Sequence, residues 1–190
     1  MTSELERLNA LPAPEAEAQL LECCASSAWA RRMAAARPFG SFRELAEEAD
    51  RAWRSLSKDD WLESFAAHPR IGDSLEKGTD LFNRSPQQPE NKSVPDFATT
   101  SSNWSREEQS GTRGASPETL ANLADANRDY EDRFGYVFIV CASGRNAAEM
   151  LALAEKRLGN DRATEIAIAA EEQRKITRLR LEKLLAASKR

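Results

Sequence analysis

The chain has 190 residues, 41% of them hydrophobic and 31% charged, with 27 basic against 31 acidic side chains and a net charge of −4. This apolar content suits one domain with its own core, residues 1–190 with a core of about 8–185, and the weak acidic balance excludes the extended positive field that nucleic-acid binding needs. No run approaches the ~18–20 apolar residues of a membrane span, the N-terminus has neither the basic nor the apolar region of an export signal, and three cysteines (Cys23, Cys24, Cys141) are too few for a disulfide framework, so a cytoplasmic protein is expected.

Helical period begins after Pro14, where Leu20, Leu21, Cys24, Ala28, Trp29 and Met33 recur by threes and fours, and one helix is predicted up to Arg37-Pro38-Phe39-Gly40. Ser41 with Glu44 and Ser57 with Asp60 mark the starts of two more, carrying Phe42, Leu45, Ala49, Trp53 and Leu56, then Trp61, Leu62, Phe65 and Ala66. The third should stop at or before His68, because the residue preceding Pro69 is pushed out of the α region. From Ser74 to Trp104 the pattern dissolves among prolines, asparagines and serines into a long irregular loop. Periodicity returns at Ser116-Pro117-Glu118 and closes at Gly135. Tyr136–Ala142 is a buried extended run of β-favouring residues, Asn146 with Glu149 caps a further helix to Gly159, and a last long one spans about Asp161 to Ala187. The fold class expected is all-α, a multi-helix domain with one short extended segment near 136–142 and the irregular loop near 74–104.

A helical scaffold suits many functions, so the chemistry must be sought in particular side chains. No Cys/His spacing suits a metal, no glycine-rich string leads a strand into a helix, and no Gly-x-Ser-x-Gly elbow is present. His68 is the only imidazole. At a helix C-terminus the macrodipole favours its charged form, which suits either a general acid or an exposed capping histidine. Ser105 and Glu108 form a Ser-x-x-Glu string that is either a capping box or a functional pair, although the following Gln109-Ser110-Gly111-Thr112 offers a helix little apolar face. Arg180 projects from an apolar stripe between Ile176 and Leu184, either snorkelling to solvent or turned inward towards an acidic partner or an anionic ligand. Cys141 among Ile139, Val140 and Ala142 is read as an inert core thiol ahead of a nucleophile paired with His68.

Five strings occur in order: His68-Pro69-Arg70-Ile71-Gly72-Asp73; Ser105-x-x-Glu108-Gln109-x-Gly111; Phe134-Gly135-Tyr136-x-Phe138-Ile139-Val140; Arg157-Leu158-x-Asn160 with Glu165; and Ile176-x-x-Leu179-Arg180-Leu181. Together they resemble the 2-oxo-4-hydroxy-4-carboxy-5-ureidoimidazoline (OHCU) decarboxylase family of urate breakdown, over about Leu8 to Leu185. The segment between Asp73 and Ser105 is longer than that family usually carries. The resemblance implies an all-α fold of its own type and a carboxy-lyase, free of cofactor and metal, that forms (S)-allantoin. It implies His68, Glu108 and Arg180 as catalytic residues, and Pro69, Ser105, Gln109 and the backbone at Ile139, Val140 and Ala142 as substrate-binding ones. It further implies a functional link to 5-hydroxyisourate hydrolase and a urate-oxidising enzyme, with no nucleic-acid or membrane partner. A homodimer is compatible with the amphipathic helices. The competing reading is a non-catalytic helical binding or scaffold domain that keeps the family pocket; its signature would be a replaced histidine or glutamate, and both are present.

Overall fold

Side-chain caps write most of the helix starts. In the computed structural model, which describes residues 3–71, 104–105, 107–108 and 110–186, Ser3 accepts the Glu6 N–H at 3.2 Å while the Glu6 carboxylate takes the Ser3 N–H at 2.7 Å, opening α1 (Glu4–Ala10). The chain from Pro14 to Met33 is not the single helix its periodicity predicts. It is α2 (Ala13–Cys24) and α3 (Ser27–Ala35), broken where Ala25 takes a left-handed conformation at φ 57° and donates its N–H to the Leu21 carbonyl at 2.7 Å. Ser26 then accepts the Trp29 N–H and starts a new helix. Apolar spacing runs through the break because Leu20, Cys24, Trp29 and Met33 are all fully buried in one core.

Arg37 ends α3 as expected, and its guanidinium does more than stop the helix. It donates to the Ala34 carbonyl at 2.9 Å and to Leu8 and Leu11 carbonyls at 2.6 and 2.8 Å, satisfying acceptors at the C-terminal ends of both α3 and α1. Asn9 completes the tie, exchanging hydrogen bonds of 2.8 and 2.9 Å with the backbone of Phe39. Ser41 and Ser57 start α4 (Phe42–Arg54) and α5 (Lys58–Ala66), and α5 stops before His68. α8 (Arg162–Ala186) is the long final helix, with the Asp161 carboxylate accepting the Ala163 and Thr164 N–H groups at 3.0 and 2.9 Å.

The chain divides into two compact units. The first contains the residues through His68, the short stretch Ile139–Cys141 and everything from Asp161 onward. Here α2 packs on α3 and α8, α3 on α4, and α4 on α8. Tryptophans join hydrophobic burial to polar satisfaction: Trp29 donates its indole N–H to the Ala49 carbonyl at 3.1 Å, and Trp53 to the Ala170 carbonyl at 2.9 Å, joining α4 to α8.

The second unit holds Pro69–Phe138 and Ala142–Asn160. Its described helices α6 (Pro117–Phe134) and α7 (Ala147–Leu158) pack on each other. Gly135, at φ 86°, closes α6 in the left-handed region that only glycine enters freely. Tyr130, Phe134, Tyr136 and Phe138 form an aromatic cluster with edge and tilted contacts at 4.7–5.8 Å. The buried Arg157 lies over the Phe138 ring at 4.7 Å and donates to the Tyr130 hydroxyl at 3.2 Å.

The β-favouring run Tyr136–Ala142 buries Phe138, Ile139, Val140 and Ala142, yet it is no strand: none is present among the described residues. A strand needs a neighbour for its backbone groups, and the Cys141 N–H finds a side chain instead, the Glu172 carboxylate at 2.8 Å.

Ala25 generates a direct test. A non-glycine residue in the left-handed region carries roughly 1–2 kcal/mol of strain, so Ala25→Gly should raise stability by about 0.5–1 kcal/mol, measured by urea denaturation with an unchanged m-value. A lower midpoint would show that the α2–α3 break lies elsewhere.

Candidate active site

Along α8 the inward face is not purely apolar. Ala169, Glu172, Gln173, Ile176, Thr177, Arg180 and Leu181 are all buried, recurring by threes and fours, so four polar side chains lie on the face that packs into the first unit. Arg180, 3% exposed, does not snorkel. The inward alternative holds, and the guanidinium is close enough to act electrostatically on both His68 and Cys24.

His68 follows α5, with its N–H on the Phe65 carbonyl at 3.1 Å. The residue is partly accessible, but its Nε2 is shut from solvent and has no hydrogen-bond partner. Burial, reinforced by the Arg180 guanidinium and opposed by the Gln173 amide, pushes its pKa down from 6.5 to about 3. This corrects the expectation of an imidazolium poised as a general acid. A helix C-terminus favours the cation by at most ~2 kcal/mol, whereas a depression of that size opposes it by on the order of 5 kcal/mol. Desolvation beside a fixed positive charge wins, and His68 is neutral at physiological pH.

Glu172 and Gln173, adjacent on α8, reach different neighbours. The Glu172 carboxylate accepts the Cys141 N–H and, at 2.5 Å, the Lys175 ammonium. It thereby holds the stretch Ile139–Cys141, where Ile139 and Val140 are buried and Cys141 is half-buried. Cys24 is an inert thiol: burial pushes it up to about 12, and the neighbouring Thr177 and Ser64 hydroxyls, whose protons go to the backbone carbonyls of Gln173 and Cys24, offset that only in part. Neither Glu172 nor Gln173 was singled out from sequence; the signal that could have found them is their spacing of eight and seven residues from Arg180, which returns to the same helix face.

In the second unit, Trp104, Ser105, Glu107 and Glu108 have helical backbone. Ser105 is therefore inside a helical turn rather than in the extended conformation of an N-cap, which removes the capping-box reading. Ser105 and Glu108 are both buried, at 6% and 8% exposure, as a solvated cap would not be. Beyond them the 3₁₀ turn Ser110–Thr112 carries Gly111, whose added Cβ would lie 1.8 Å from the Arg145 carbonyl oxygen. That approach admits no side chain. Ala142 is buried and Pro69 exposed. Arg70 is engaged by a two-point ion pair with Glu131 at 3.0 and 2.5 Å. Gln109, Asp73 and the loop 74–103 lie outside the described residues. Among the described residues no cluster of three or more His, Cys, Asp or Glu could hold a metal, and no helix is long and apolar enough to cross a membrane.

The sequence profile of OHCU decarboxylases matches residues 9–182. The chain belongs to the OHCU decarboxylase family. It is 37% identical over 166 residues to the uric acid degradation bifunctional protein TTL of Arabidopsis thaliana, covering 86% of this chain and 45% of that one. It is 30% identical over 156 residues to the 2-oxo-4-hydroxy-4-carboxy-5-ureidoimidazoline decarboxylase of Haloferax volcanii, covering 82% and 80%. A crystal structure of OHCU decarboxylase in the presence of (S)-allantoin superposes with a TM-score of 0.69 at 33% identity, over 89% of this chain and 98% of that one. The chain thus spans under half the length of the bifunctional relatives, 45% of the Arabidopsis protein and 32% of a Bacillus one, and nearly all of that solved OHCU decarboxylase.

Two measurements check this geometry. Because the folded state lowers the His68 pKa, the unfolded chain binds the extra proton, so His68 contributes stability that is full above pH 6.5 and is lost as pH falls towards about 3. The lone imidazole should accordingly show no NMR titration between pH 8 and 5; a midpoint near 6.5 would return it to the charged form. Separately, Gly111→Ala should cost about 2 kcal/mol or more, while Gly159→Ala, whose Cβ would meet the Lys156 carbonyl at an ordinary 3.5 Å, should be tolerated. Equal thermal midpoints for the two variants would refute the close approach.

Proposed function

We propose that this chain decarboxylates 2-oxo-4-hydroxy-4-carboxy-5-ureidoimidazoline to (S)-allantoin in urate breakdown. The observation that carries the reading is the neutral imidazole of His68, its Nε2 shut from solvent, beside the buried Arg180 guanidinium, in a chain of the OHCU decarboxylase family. Loss of carbon dioxide from the carbon bearing the hydroxyl leaves an electron pair that the conjugated imidazoline ring absorbs, so the substrate supplies its own electron sink. What the protein adds is orientation, a counter-charge and proton delivery to one face.

His68 is assigned the substrate hydroxyl. A neutral imidazole offers an acceptor nitrogen there, which a charged one would lack. Glu108 and Ser105 share the hydroxyl and carboxylate region, turning the carboxylate perpendicular to the ring so that the breaking bond overlaps the π system. Arg180 stabilises the enolate-like charge as it forms; a buried guanidinium is already desolvated and needs no reorganisation at that moment. Gln109, Pro69 and the backbone at Ile139, Val140 and Ala142 complete the binding set. Reprotonation on one face then sets the hand of the product.

The names of the bifunctional relatives, which refer to uric acid degradation, support a functional link to the enzymes that oxidise urate and hydrolyse 5-hydroxyisourate. The free thiols Cys23, Cys24 and Cys141 fit a reducing cytoplasm. A homodimer would bury mostly polar helix surface, since Leu21 is the one large hydrophobic side chain exposed among the described residues.

With urate oxidase and hydroxyisourate hydrolase generating the substrate in place, circular dichroism should record allantoin of one hand forming well above the spontaneous rate. His68→Asn should lower that rate by at least ~100-fold, the scale of losing a positioned proton-transfer group. Racemic allantoin at the spontaneous rate from the folded wild-type chain would overturn the assignment.

A further inference from the structure

Gln173 is fully buried on α8, and its amide has a defined orientation. The Thr177 hydroxyl donates its single proton to the Gln173 backbone carbonyl at 3.0 Å, so towards the Gln173 side chain it can only accept. The Gln173 Nε2 group donates to it at 3.3 Å. Nitrogen therefore faces Thr177 and Oε1 faces away, where it is shut from solvent with no hydrogen-bond partner. Leaving a buried carbonyl unsatisfied costs ~1–3 kcal/mol, so such an oxygen needs a donor.

Within the same unit, His68 Nε2 is the other buried side-chain polar atom without a partner among the described residues. The Gln173 side chain neighbours the imidazole and is the one group there that favours its protonated form. One atom needs a proton to accept and the other can hold one.

We propose that Gln173 is a positioning residue: its Oε1 receives the Nε2–H of His68, locking the ring's plane and tautomer so that Nδ1 is the nitrogen presented to substrate. Thr177 acts one step further back by keeping the amide from flipping. The proposal rests on the reading of His68 as the group that meets the substrate hydroxyl. It assigns a job to two polar residues that the family strings do not include.

The test uses the fact that the chain has a single histidine. In wild-type protein labelled with ¹⁵N, the imidazole should show one slowly exchanging, downfield N–H proton correlated to Nε2. Gln173→Leu should lose that resonance and lower kcat by about 10–100-fold, the usual effect of removing a partner that orients a reacting group, with KM within about threefold of wild type. Thr177→Val, which keeps the side-chain volume, should weaken the resonance and lower kcat in the same direction; it supplies the answer if Gln173→Leu does not fold. A wild-type imidazole protonated on Nδ1, or variants that keep both resonance and kcat, would overturn the proposal. The resonance is read without turnover, so a hydrogen-bonded Nε2–H in a chain with no decarboxylase activity would sink the proposed function while leaving the His68–Gln173 contact in place.

Discussion

Holding an uncharged imidazole next to a buried guanidinium is the constraint on which the first unit depends. A cation in a protein interior is costly unless something answers it, and a histidine at its edge would answer it wrongly if protonated. Burial keeps His68 neutral, and α8 keeps Arg180 in place. That helix must be long, because the residue bracing Cys141 and the arginine are eight positions apart, about 12 Å along its axis. It must also be anchored along that length. The Trp53 indole on the Ala170 carbonyl and the Asp50 carboxylate on the Arg174 guanidinium at 2.7 Å fasten it to α4.

The second unit solves a different problem, placing buried polar side chains on a turn rather than along a helix. Ser105 and Glu108 precede a 3₁₀ turn that touches the Arg145 carbonyl at Gly111, so the turn is located by backbone contact with no side chain between. Arg145 in turn lies just before the Asn146 cap of α7, whose capping box fixes where that helix begins. Arg157, buried between Tyr130 and Phe138, uses ring faces and a phenol oxygen to offset its desolvation, and so braces α7 against α6.

Much of the helix plan was legible in the residues themselves, because caps are local. Ser41, Ser57, Ser116 and Asn146 all act as N-caps, and Gly135 ends its helix in the left-handed conformation. The break at Ala25 was not, since alanine signals helix and the apolar period continued across it. The run Tyr136–Ala142 carries strand propensity, but propensity cannot say whether a partner strand exists. For the candidate site, the strings naming His68, Glu108 and Arg180 were visible, while the charge state of His68 was not. That depends on a guanidinium more than a hundred residues away in sequence, and only the fold brings the two together. Gln173 and Thr177 escaped notice because polar residues on a helix read as its solvated side until burial is known.

The thiol of Cys24 carries a consequence for how the protein ages. With its pKa pushed up to about 12, almost none of it exists as thiolate near neutrality, and thiolate is the form that peroxides and electrophiles attack. Cys23 beside it is equally enclosed. Oxidative damage to the folded chain should therefore begin at Cys141, the one thiol that is not buried, whose backbone N–H is already held by Glu172. Early oxidation would then mark chemistry on the stretch that Glu172 holds while the helical core stayed chemically intact.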